Sequence, residues 1–539
     1  MQLAPSPINV DILQAESYDY DTTESQFLVN GFRKGFSLKY EGPRIATSAK
    51  NLKSALKLPD IVLEKINKEV ELCRVAGPFE SRPLPNLRIS PIGLVPKKTG
   101  QQEFRLIHHL SYPAGRSLND YIDPAKCTVQ YTSFDTAVHM IQDLGFKCEM
   151  FKMDIKSAFR LLPVEPNDFD QLGFVFNNCY YFDKCLPFGC SISCNLFNRF
   201  ADLLTHIIQR KAGSTYLIHY LDDFLGGGKR NSGECRHLME IFSGCMQKLG
   251  VPIAAEKTEG PVTVLTFLGL ELDSDKMEIR LPLHKVQEVL ILLNNMLQKT
   301  RCTLKEMQSL IGVLNFACRA IIPGRPFCRR LIDSICGLTK PYHHLRINKG
   351  IKLDLMMWKQ FFVNFNGIRV FHDRFWSYND DVELFTDSAG GEGMGFGVYF
   401  AGKWMSERWP DEWFKHGYTT DITVLELFPI VVAIFTWGKE LQLKKICFRS
   451  DNMAVCHIIN KMTSKSDLIM VLLRNLTLKC LQMNIVVKAE HVPGVKNSIT
   501  DALSRFQMQR FWTLVPNAHQ SPSIMEPQLW KIFNKELLV

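Results

Sequence analysis

Two adjacent carboxylates, Asp222 and Asp223, lie between a β-prone run, residues 216–220, and three glycines at 226–228. Burying two neighbouring negative charges is unfavourable, because they repel each other and lose their hydration. A divalent cation such as Mg²⁺ offsets both costs and binds carboxylate oxygens together with substrate phosphates. The pair therefore predicts either a metal site for phosphoryl transfer or an ordinary β-turn, since Asp and Gly are common turn residues.

A third candidate ligand, Asp154, ends a short β-prone run that begins at Phe151. Together with the adjacent pair it makes a set for two metal ions, one activating an attacking 3′-hydroxyl and the other stabilising the leaving group. Phe159 follows five residues later and in such a site would lie under the incoming sugar, where its ring excludes a 2′-hydroxyl. Taken singly, Asp154 is more typical of a helix N-cap or a solvated acid, and Phe159 of a core residue.

A second set of acids follows residue 380. Asp387 and Asp451 each follow a β-prone run, Glu426 lies inside an apolar helical pattern, and Asp501 comes ten residues after His491. A glutamate within an apolar helix is seldom placed there for solubility. These acids predict a second two-metal site, and the alternative for Glu426 is a helix face turned to water.

The elements that must position these acids alternate along the chain. Residues 104–275 mix β-prone and helical runs, and residues 283–336 are predicted to be helical, with a capping box at Thr303 and Glu306. Near residue 380 the pattern restarts with β-prone runs on both sides of a long apolar helix over 422–440. The two sets of acids therefore belong to two differently organised parts of the chain.

Composition and charge set the broad class of protein. A chain of 539 residues with 46% hydrophobic and 22% charged residues predicts several globular domains. The net charge of +9, from 64 Lys and Arg against 55 Asp and Glu, suits a polyanionic partner without requiring one. The sixteen cysteines lack the spacing of zinc sites and are interpreted as core residues in a reducing compartment.

The N-terminal segment and the apolar runs bear on localisation. The first 32 residues contain no Lys or Arg and five acidic residues, which argues against a secretory signal or a transit peptide. The longest apolar run, Ile422 to Trp437, is shorter than the ~20 residues of a membrane span and contains Glu426 and Pro429. We therefore expect an intracellular protein, cytoplasmic or nuclear, without a membrane partner.

Five short segments occur in the order found in the reverse transcriptases of retroelements, and together they make the resemblance specific. They are residues 151–159, which resemble the first catalytic block; Leu186-Pro187-Phe188-Gly189, the dNTP-pocket block; Tyr220 to Asp223, the YxDD box; Glu256-Lys257-Thr258; and Phe267-Leu268-Gly269, the primer grip. Upstream, residues 96–98 and 104–107 resemble the fingers segment that grips the triphosphate.

The resemblance implies roles for individual residues. Lys98 and Arg105 would bind the triphosphate through charge-assisted hydrogen bonds, and Lys257 would protonate the leaving pyrophosphate. Phe188 stands where retroviral enzymes often carry Gln, so its contact with the dNTP would be packing. The implied substrate-binding residues are Lys98, Arg105, Phe159, Phe188, Gly189, Tyr220 and Lys257, and the implied primer grip is Phe267, Leu268 and Gly269.

The second set of acids resembles that of an RNase H domain. Asp387, Glu426, Asp451 and Asp501 match its four metal-binding acids, and His491 matches its mobile histidine. That resemblance implies hydrolysis by two metal ions, with His491 aiding product release or proton transfer. Across residues 76–510 the chain most resembles the polyprotein segments of DIRS-type retrotransposons, with long-terminal-repeat (gypsy-like) elements next.

The resemblance also implies an architecture, cofactors and partners. The fold would be mixed α/β, with a right-hand fingers-palm-thumb polymerase, a connection and an RNase H-like domain. The implied segments are 1–75, an extension partly disordered and then helical; 76–275, fingers and palm; 276–378, a mostly helical thumb and connection; 379–510, RNase H-like; and 511–539, a tail. Each active site would hold two Mg²⁺, with Mn²⁺ as the alternative ion.

Two functions of different class remain open at this stage. The first is an RNA-directed DNA polymerase with RNase H activity, whose partners are an RNA template, a DNA primer, RNA–DNA hybrids and dNTPs. The second is a domesticated nucleic-acid-binding protein that retains the fold without turnover. The presence of all seven candidate metal-binding acids favours the enzyme.

Overall fold

The computed structural model describes residues 2–96, 103–365, 369–371, 376–493 and 497–534. The chain divides into two compact units, Met1–Leu268 and Gly269–Val539. Both units mix helices with strands, which confirms the predicted mixed α/β class. Within the described ranges, no helix is long and apolar enough to cross a membrane.

Helices and strands alternate throughout the first unit. Its helices are α1 (Val10–Glu16), α2 (Thr22–Lys34), α3 (Lys53–Lys57), α4 (Pro59–Glu71), α5 (Pro124–Cys127), α6 (Phe134–Leu144), α7 (Ser193–Ala212) and α8 (Glu234–Leu249). Its strands are β1 (Val75–Phe79), β2 (Ile92–Pro96), β3 (Phe104–His108), β4 (Glu149–Asp154), β5 (Gly173–Phe176), β6 (Cys179–Asp183), β7 (Leu217–Tyr220), β8 (Asp223–Gly228), β9 (Glu259–Val262) and β10 (Val264–Phe267).

An antiparallel sheet with the order β7-β8-β4-β9 forms the centre of this unit. In the pairing of β4 with β8, Asp154 lies opposite Asp223 and Phe151 lies opposite Gly226. A Cβ atom on Gly226 would lie 2.4 Å from the Phe151 ring, so the glycine makes room for that ring inside the sheet. Helices α7 and α8 cover the sheet with their buried apolar faces.

The first unit also contains two smaller antiparallel sheets. One has the order β1-β6-β5, and the other is the hairpin β2-β3. In the hairpin, Arg105 lies opposite Val95. The hairpin therefore carries one of the two predicted triphosphate contacts, while the other, Lys98, lies outside the described residues.

The N-terminal segment is helical over most of residues 10–34, whereas its acidic, polar composition indicated partial disorder. Its acids pair with basic residues of α7: Glu16 with Arg210 at 2.8 Å and Glu24 with Arg199 at 2.7 Å. The apolar side of these helices is buried in the core. Their partners lie 194 and 175 residues away along the chain, so local composition does not reveal them.

The second unit contains the remaining elements. Its helices are α9 (Leu283–Gln298), α10 (Leu304–Ala317), α11 (Arg329–Ser334), α12 (Lys349–Phe365), α13 (Asn379–Val382), α14 (Asp411–Lys415), α15 (Ile422–Trp437), α16 (Met453–Lys461), α17 (Asp467–Gln482), α18 (Ser498–Ser504) and α19 (Met508–Leu514). Its strands are β11 (Leu270–Asp273), β12 (Glu278–Arg280), β13 (Arg301–Thr303), β14 (His344–Arg346), β15 (Arg369–Val370), β16 (Ser377–Tyr378), β17 (Leu384–Ser388), β18 (Gly395–Phe400), β19 (Lys403–Arg408), β20 (Lys445–Ser450) and β21 (Val486–His491).

Helix α15 lies at the core of the second unit. It is buried on all sides and packs against β17, β18 and α17, as expected for a helix that is apolar around its circumference. The strands around the predicted acids form an antiparallel sheet, β17-β18-β19, and a parallel one, β16-β20-β21. The sequence predicts this helix over 422–440, and it ends at Trp437.

The helical stretch before residue 336 follows the predicted pattern in part. Helix α10 begins with the predicted capping box, in which Thr303 accepts from the Glu306 N–H and the Glu306 carboxylate accepts from the Thr303 N–H. The short strand β13, Arg301–Thr303, interrupts the predicted helical run and pairs with β14.

Further along, buried Asp354 on α12 faces Arg330 at 3.6 Å and Arg474 on α17 at 3.5 Å.

Candidate active sites

The three acids of the first predicted site converge at one end of the central sheet. Asp154 ends β4 and lies opposite Asp223, the first residue of β8. Asp222 lies in the turn before β8, where Leu221 has a φ of 54° and the Asp222 carbonyl accepts from the Ile155 N–H at 3.0 Å. The pair thus lies in a hairpin turn, and that turn brings Asp222 and Asp223 beside Asp154.

Burial and mutual repulsion alter the acidity of these carboxyl groups. Burial, followed by the charges of Asp222 and Asp154, raises the pKa of Asp223 to about 6. Burial and the Asp154 carboxylate also raise the pKa of Asp222. A bound cation would relieve both the burial and the mutual repulsion that raise these pKa values, and the all-oxygen donor set fits Mg²⁺ or Mn²⁺.

Lys257 supplies a positive charge to the same site. Its Nζ donates to Asp154 Oδ2 at 2.6 Å. Burial by itself would lower the pKa of Lys257, but the hydrogen bond and the charge of Asp154 raise it above its ordinary value. The lysine therefore stays protonated beside the acids, as the predicted role in proton donation requires.

An open cleft of about 540 Å³ adjoins the acids. This volume falls within the ~300–1,000 Å³ that is typical of small-molecule sites. Its walls carry charges of both signs, which suits a substrate of linked phosphates and metal ions. The lining residues are Lys152, Asp154, Asp223, Glu256, Lys257, Thr258 and Glu259.

The predicted substrate residues Phe159, Phe188 and Gly189 lie together. The ring centroids of Phe159 and Phe188 are 5.2 Å apart, and Phe188 is 43% exposed. Gly189 has a φ of 111°, and a Cβ atom there would lie 2.4 Å from the carbonyl oxygen of His108. Both the backbone conformation and the close approach require glycine at this position.

Two other predicted substrate residues approach the acids from different strands. The Tyr220 ring at the end of β7 stacks on Tyr131, with centroids 4.8 Å apart. Arg105 is exposed on β3, and its charge acts on Asp222, where it partly offsets the effect of burial on the pKa. Tyr131 escaped the sequence analysis because its loop carries no pattern that links it to the YxDD segment.

The predicted primer grip forms a tight turn after β10. Phe267 is fully buried, and Leu268 and Gly269 have φ values of 47° and 81°. In the second unit, Lys285 on α9 donates from Nζ to the Gly269 carbonyl at 2.9 Å and lies over the Phe316 ring. Lys285 was not identified from the sequence, because a lysine on a helix surface usually carries no local sign of a partner.

Three acids of the second predicted site form a cluster. Carboxylate oxygens of Asp387 on β17, Glu426 on α15 and Asp451 after β20 lie within 4.8 Å of one another. Burial, together with the neighbouring acids, raises the pKa of Asp387 to about 7 and that of Glu426 to about 8. Such oxygen donors at this spacing fit a site for hard divalent cations.

The fourth predicted acid, Asp501, lies outside this cluster. Its two carboxylate oxygens accept from Arg505 Nε and Arg510 Nη1, each at 2.6 Å. Burial would raise the pKa of Asp501, but these two hydrogen bonds lower it. The arginines therefore occupy both oxygens that the sequence analysis assigned to a metal.

Other side chains around the cluster hold its acids in place. Ser504 Oγ donates to Asp387 Oδ2 at 2.8 Å, and Asn497 Nδ2 donates to the Thr386 carbonyl at 2.7 Å. The predicted His491 has its Nε2 3.1 Å from the carbonyl oxygen of Asp451. Ser504 and Asn497 were not predicted from the sequence, because neither is one of the acids on which the prediction of this site rests.

Without Mg²⁺, the thermal stability of the protein is expected to fall as the pH rises from about 4.5 to about 8. Unfolded Glu426 and Asp387 lose their protons near 4.5 and 3.8, whereas the folded groups keep them up to about 8 and 7. The unfolded state then binds fewer protons, so the free energy of unfolding decreases with pH. Calorimetry across this range, with EDTA and with Mg²⁺, measures the effect.

The matched control for this pH dependence is Glu426→Gln, which removes one of the two titrating groups. The variant should show a shallower fall in EDTA than the wild type. Mg²⁺ should flatten the wild-type profile, because ion binding favours the ionised carboxylates. Equal profiles for the wild type and the variant in EDTA would contradict the assigned shift of Glu426.

Comparison with known proteins places one part of the chain in a family. Residues 95–272 match the family described as reverse transcriptase (RNA-dependent DNA polymerase). The chain therefore carries a reverse transcriptase domain, which includes Asp154, Asp222, Asp223 and the cleft beside them.

Relatives of this domain occur in viral polyproteins. The Gag-Pro-Pol polyprotein of Mason-Pfizer monkey virus is 25% identical over 207 residues, which cover 36% of this chain and 11% of the polyprotein. Protein P of Duck hepatitis B virus (strain Germany/DHBV-3) is 30% identical over 130 residues, which cover 24% of this chain and 16% of that protein. The match thus spans a small fraction of the length of either relative.

Two similar solved structures come from foamy virus. The protease-reverse transcriptase dRH in complex with ds DNA has a TM-score of 0.48 and 15% identity, covering 92% of this chain and 84% of that chain. The protease-reverse transcriptase in complex with RNA/DNA hybrid has a TM-score of 0.47 and 14% identity, covering 91% and 64%.

Proposed function

We propose that this protein is the RNA-directed DNA polymerase of a retrotransposon and that it also cleaves the RNA strand of RNA–DNA hybrids. The observation that carries the proposal is the pairing of Asp154 with Asp223, beside Asp222 and an open cleft, within the segment that matches the reverse transcriptase family. Its substrates would be an RNA template, a DNA primer and dNTPs. It would act in the cytoplasm or the nucleus.

In DNA synthesis, the three acids of the first unit would hold two Mg²⁺ ions. When bound, such ions lower the pKa of the primer 3′-hydroxyl and neutralise charge on the triphosphate. Arg105 and Lys98 would orient the triphosphate, and Phe159 with Phe188 would form the floor under the sugar. Lys257, protonated at the edge of the cleft, would give its proton to the departing pyrophosphate.

In RNA cleavage, Asp387, Glu426 and Asp451 would hold the metal ions in the second unit. The raised pKa values of Asp387 and Glu426 support this role, because bound cations would offset the burial and the repulsion that raise them. Asp501 would become a fourth metal ligand only if its carboxylate first gave up its hydrogen bonds with Arg505 and Arg510. His491, adjacent to the Asp451 backbone, would aid release of the cleaved strand.

The lineage proposed for the element is DIRS-type. The support is the sequence resemblance of residues 307–333 and 491–505 to that group, with long-terminal-repeat elements as the next candidate. A match of the first 96 or the last 29 residues to proteins of one lineage and not the other would decide between them.

Primer extension on an RNA template with Mg²⁺ tests the proposed polymerase. The intact chain should extend a DNA primer with dNTPs, and EDTA should stop the reaction. A hybrid with labelled RNA in the same buffer tests cleavage. Retained binding of primer–template without any extension would contradict the proposal and favour the domesticated nucleic-acid-binding protein.

Replacing Phe159 by Ala is expected to admit ribonucleotides. The Phe159 ring centroid lies 5.2 Å from that of Phe188, and removal of the ring would open the space that a 2′-hydroxyl needs. Discrimination in kcat/KM between a dNTP and the matching NTP should fall by about 10- to 100-fold. Single-nucleotide incorporation kinetics measure this ratio. Phe159→Tyr keeps the ring and should keep discrimination, and an unchanged ratio in Phe159→Ala would remove the assigned role.

A further inference from the structure

A buried ion network lies behind the candidate dNTP pocket. Arg160 pairs through Nη1 with Asp183 Oδ1 at 2.7 Å and through Nη2 with Glu69 Oε2 at 2.9 Å. Arg160 Nη1 also donates to the Cys185 carbonyl at 3.1 Å. The Arg160 and Asp183 side chains are only 9% and 8% exposed, so the contacts are shielded from water.

Asp183 extends the network to strand β3. Its Oδ2 is 3.0 Å from His108 Nδ1, and the other ring nitrogen of His108 is 3.2 Å from the Gly173 carbonyl. The backbone oxygen of His108 faces Gly189, whose Cα approaches it so closely that a Cβ would lie 2.4 Å away. The network thus reaches the glycine of the dNTP-pocket block.

The charges in this network compensate one another. Burial by itself would raise the pKa of Asp183, but Arg160 and His108 lower it below its ordinary value. Burial likewise would lower the pKa of Arg160, but Asp183 and Glu69 raise it. Both groups therefore remain ionised, and removal of either would take a counter-charge away from the other in a buried setting.

Three members of the network lie within three residues of a predicted substrate residue. Arg160 directly follows Phe159, Cys185 comes three residues before Phe188, and His108 comes three residues after Arg105. The network therefore ties together the three chain segments that carry the sugar contact, the dNTP-pocket block and the triphosphate contact.

The backbone before Phe159 is strained. Ser157 and Ala158 have φ values of 67° and 25°, in the region that residues with a Cβ rarely adopt. Strained conformations of this kind persist only where the surrounding structure fixes them. Arg160, held by Glu69 and Asp183 within the same 3₁₀ turn, supplies that constraint.

We propose that Arg160 and Asp183 are positioning residues that fix the spacing of the Phe159 and Phe188 rings and thereby set discrimination against ribonucleotides. This inference rests on the proposed DNA synthesis. Arg160 touches no substrate and acts through Phe159, whereas Asp183 acts through Arg160 and through the segment that leads to Phe188.

Arg160→Lys tests the inference, because lysine keeps the charge but lacks the planar fork that holds two carboxylates. Discrimination in kcat/KM between a dNTP and the matching NTP should fall about tenfold, chiefly through a raised KM for the dNTP. Binding of primer–template should stay unchanged. Asp183→Asn should act in the same direction and keeps the inference testable if Arg160→Lys fails to fold.

The matched control is Arg88→Lys. Arg88 is also buried and donates to Gln171 at 3.1 Å and to Tyr40 at 2.8 Å, but it adjoins no predicted substrate residue in the chain. This variant should lower the melting temperature without changing discrimination. If Arg88→Lys lost as much discrimination as Arg160→Lys, the effect would be due to general destabilisation, and the inference would be overturned.

A double-mutant cycle with Phe159→Ala separates positioning from an independent effect. If Arg160 acts through Phe159, Arg160→Lys should change discrimination little in the Phe159→Ala background. Additive effects, or unchanged discrimination in both Arg160→Lys and Asp183→Asn, would overturn the inference alone. No extension by the wild-type chain would overturn the proposed function and this inference with it.

Discussion

Asp222→Asn should abolish DNA synthesis and leave RNA cleavage intact. Asparagine keeps the size of the side chain but removes the charge that would bind a metal ion. The loss of metal-assisted activation should slow extension by at least about a thousandfold. The hairpin should still fold, because the contact of Asp222 with Ile155 uses the backbone carbonyl, which the substitution retains.

Primer extension and hybrid cleavage, measured on the same preparation, test this separation of activities. The control is Asp60→Asn, which makes the same chemical change at an exposed position of α4 and should alter neither activity. Each predicted site is built within its own compact unit, so a substitution in one should leave the chemistry of the other unchanged. Loss of both activities in Asp222→Asn would refute the two-site assignment.

Glu426→Gln should have the converse effect and abolish RNA cleavage while DNA synthesis continues. Glutamine preserves the shape of the buried side chain but removes a carboxylate from the cluster with Asp387 and Asp451. Cleavage should slow by at least about a thousandfold, and Asp451→Asn should act in the same direction.

The same variant should melt at a higher temperature than the wild type in EDTA above about pH 8. The pKa of Glu426 is about 8. Above that pH the wild-type protein must either bury an ionised Glu426 or bind a proton there from a solution in which protons are scarce, and both destabilise the fold. Glu412→Gln, an identical change at an exposed position of α14, is the control. A lower melting temperature for Glu426→Gln would show that the carboxylate stabilises the metal-free fold.

Local patterns in the sequence predict the positions of several acids and elements. Asp154 and the Asp222–Asp223 pair are recognisable because each stands at the end of a β-prone run, and antiparallel pairing of those runs brings the acids together. The capping box at Thr303 and the buried helix that carries Glu426 follow in the same way from short-range spacing. The cysteines that the structure describes are mostly buried, as expected of core residues.

Ionic contacts between particular side chains are what the sequence does not disclose. Asp501 was predicted to bind a metal ion. Its carboxylate oxygens instead accept hydrogen bonds from Arg505 and Arg510, which lie four and nine residues further along the chain. Arg160 meets Asp183 and Glu69 across even longer separations. A periodic pattern identifies which face of an element is buried, but it contains no information about which charge pairs with which across the fold.

The ion pairs that hold helices α1 and α2 on α7 can form only after α7 has been synthesised. During synthesis at ~5–20 residues per second, about 10–40 s separate the emergence of Glu16 and Glu24 from that of their arginine partners. Asn9 waits longer still, because it donates to Leu249 at the end of α8. These two helices therefore leave the ribosome well before the partners that fix their final positions.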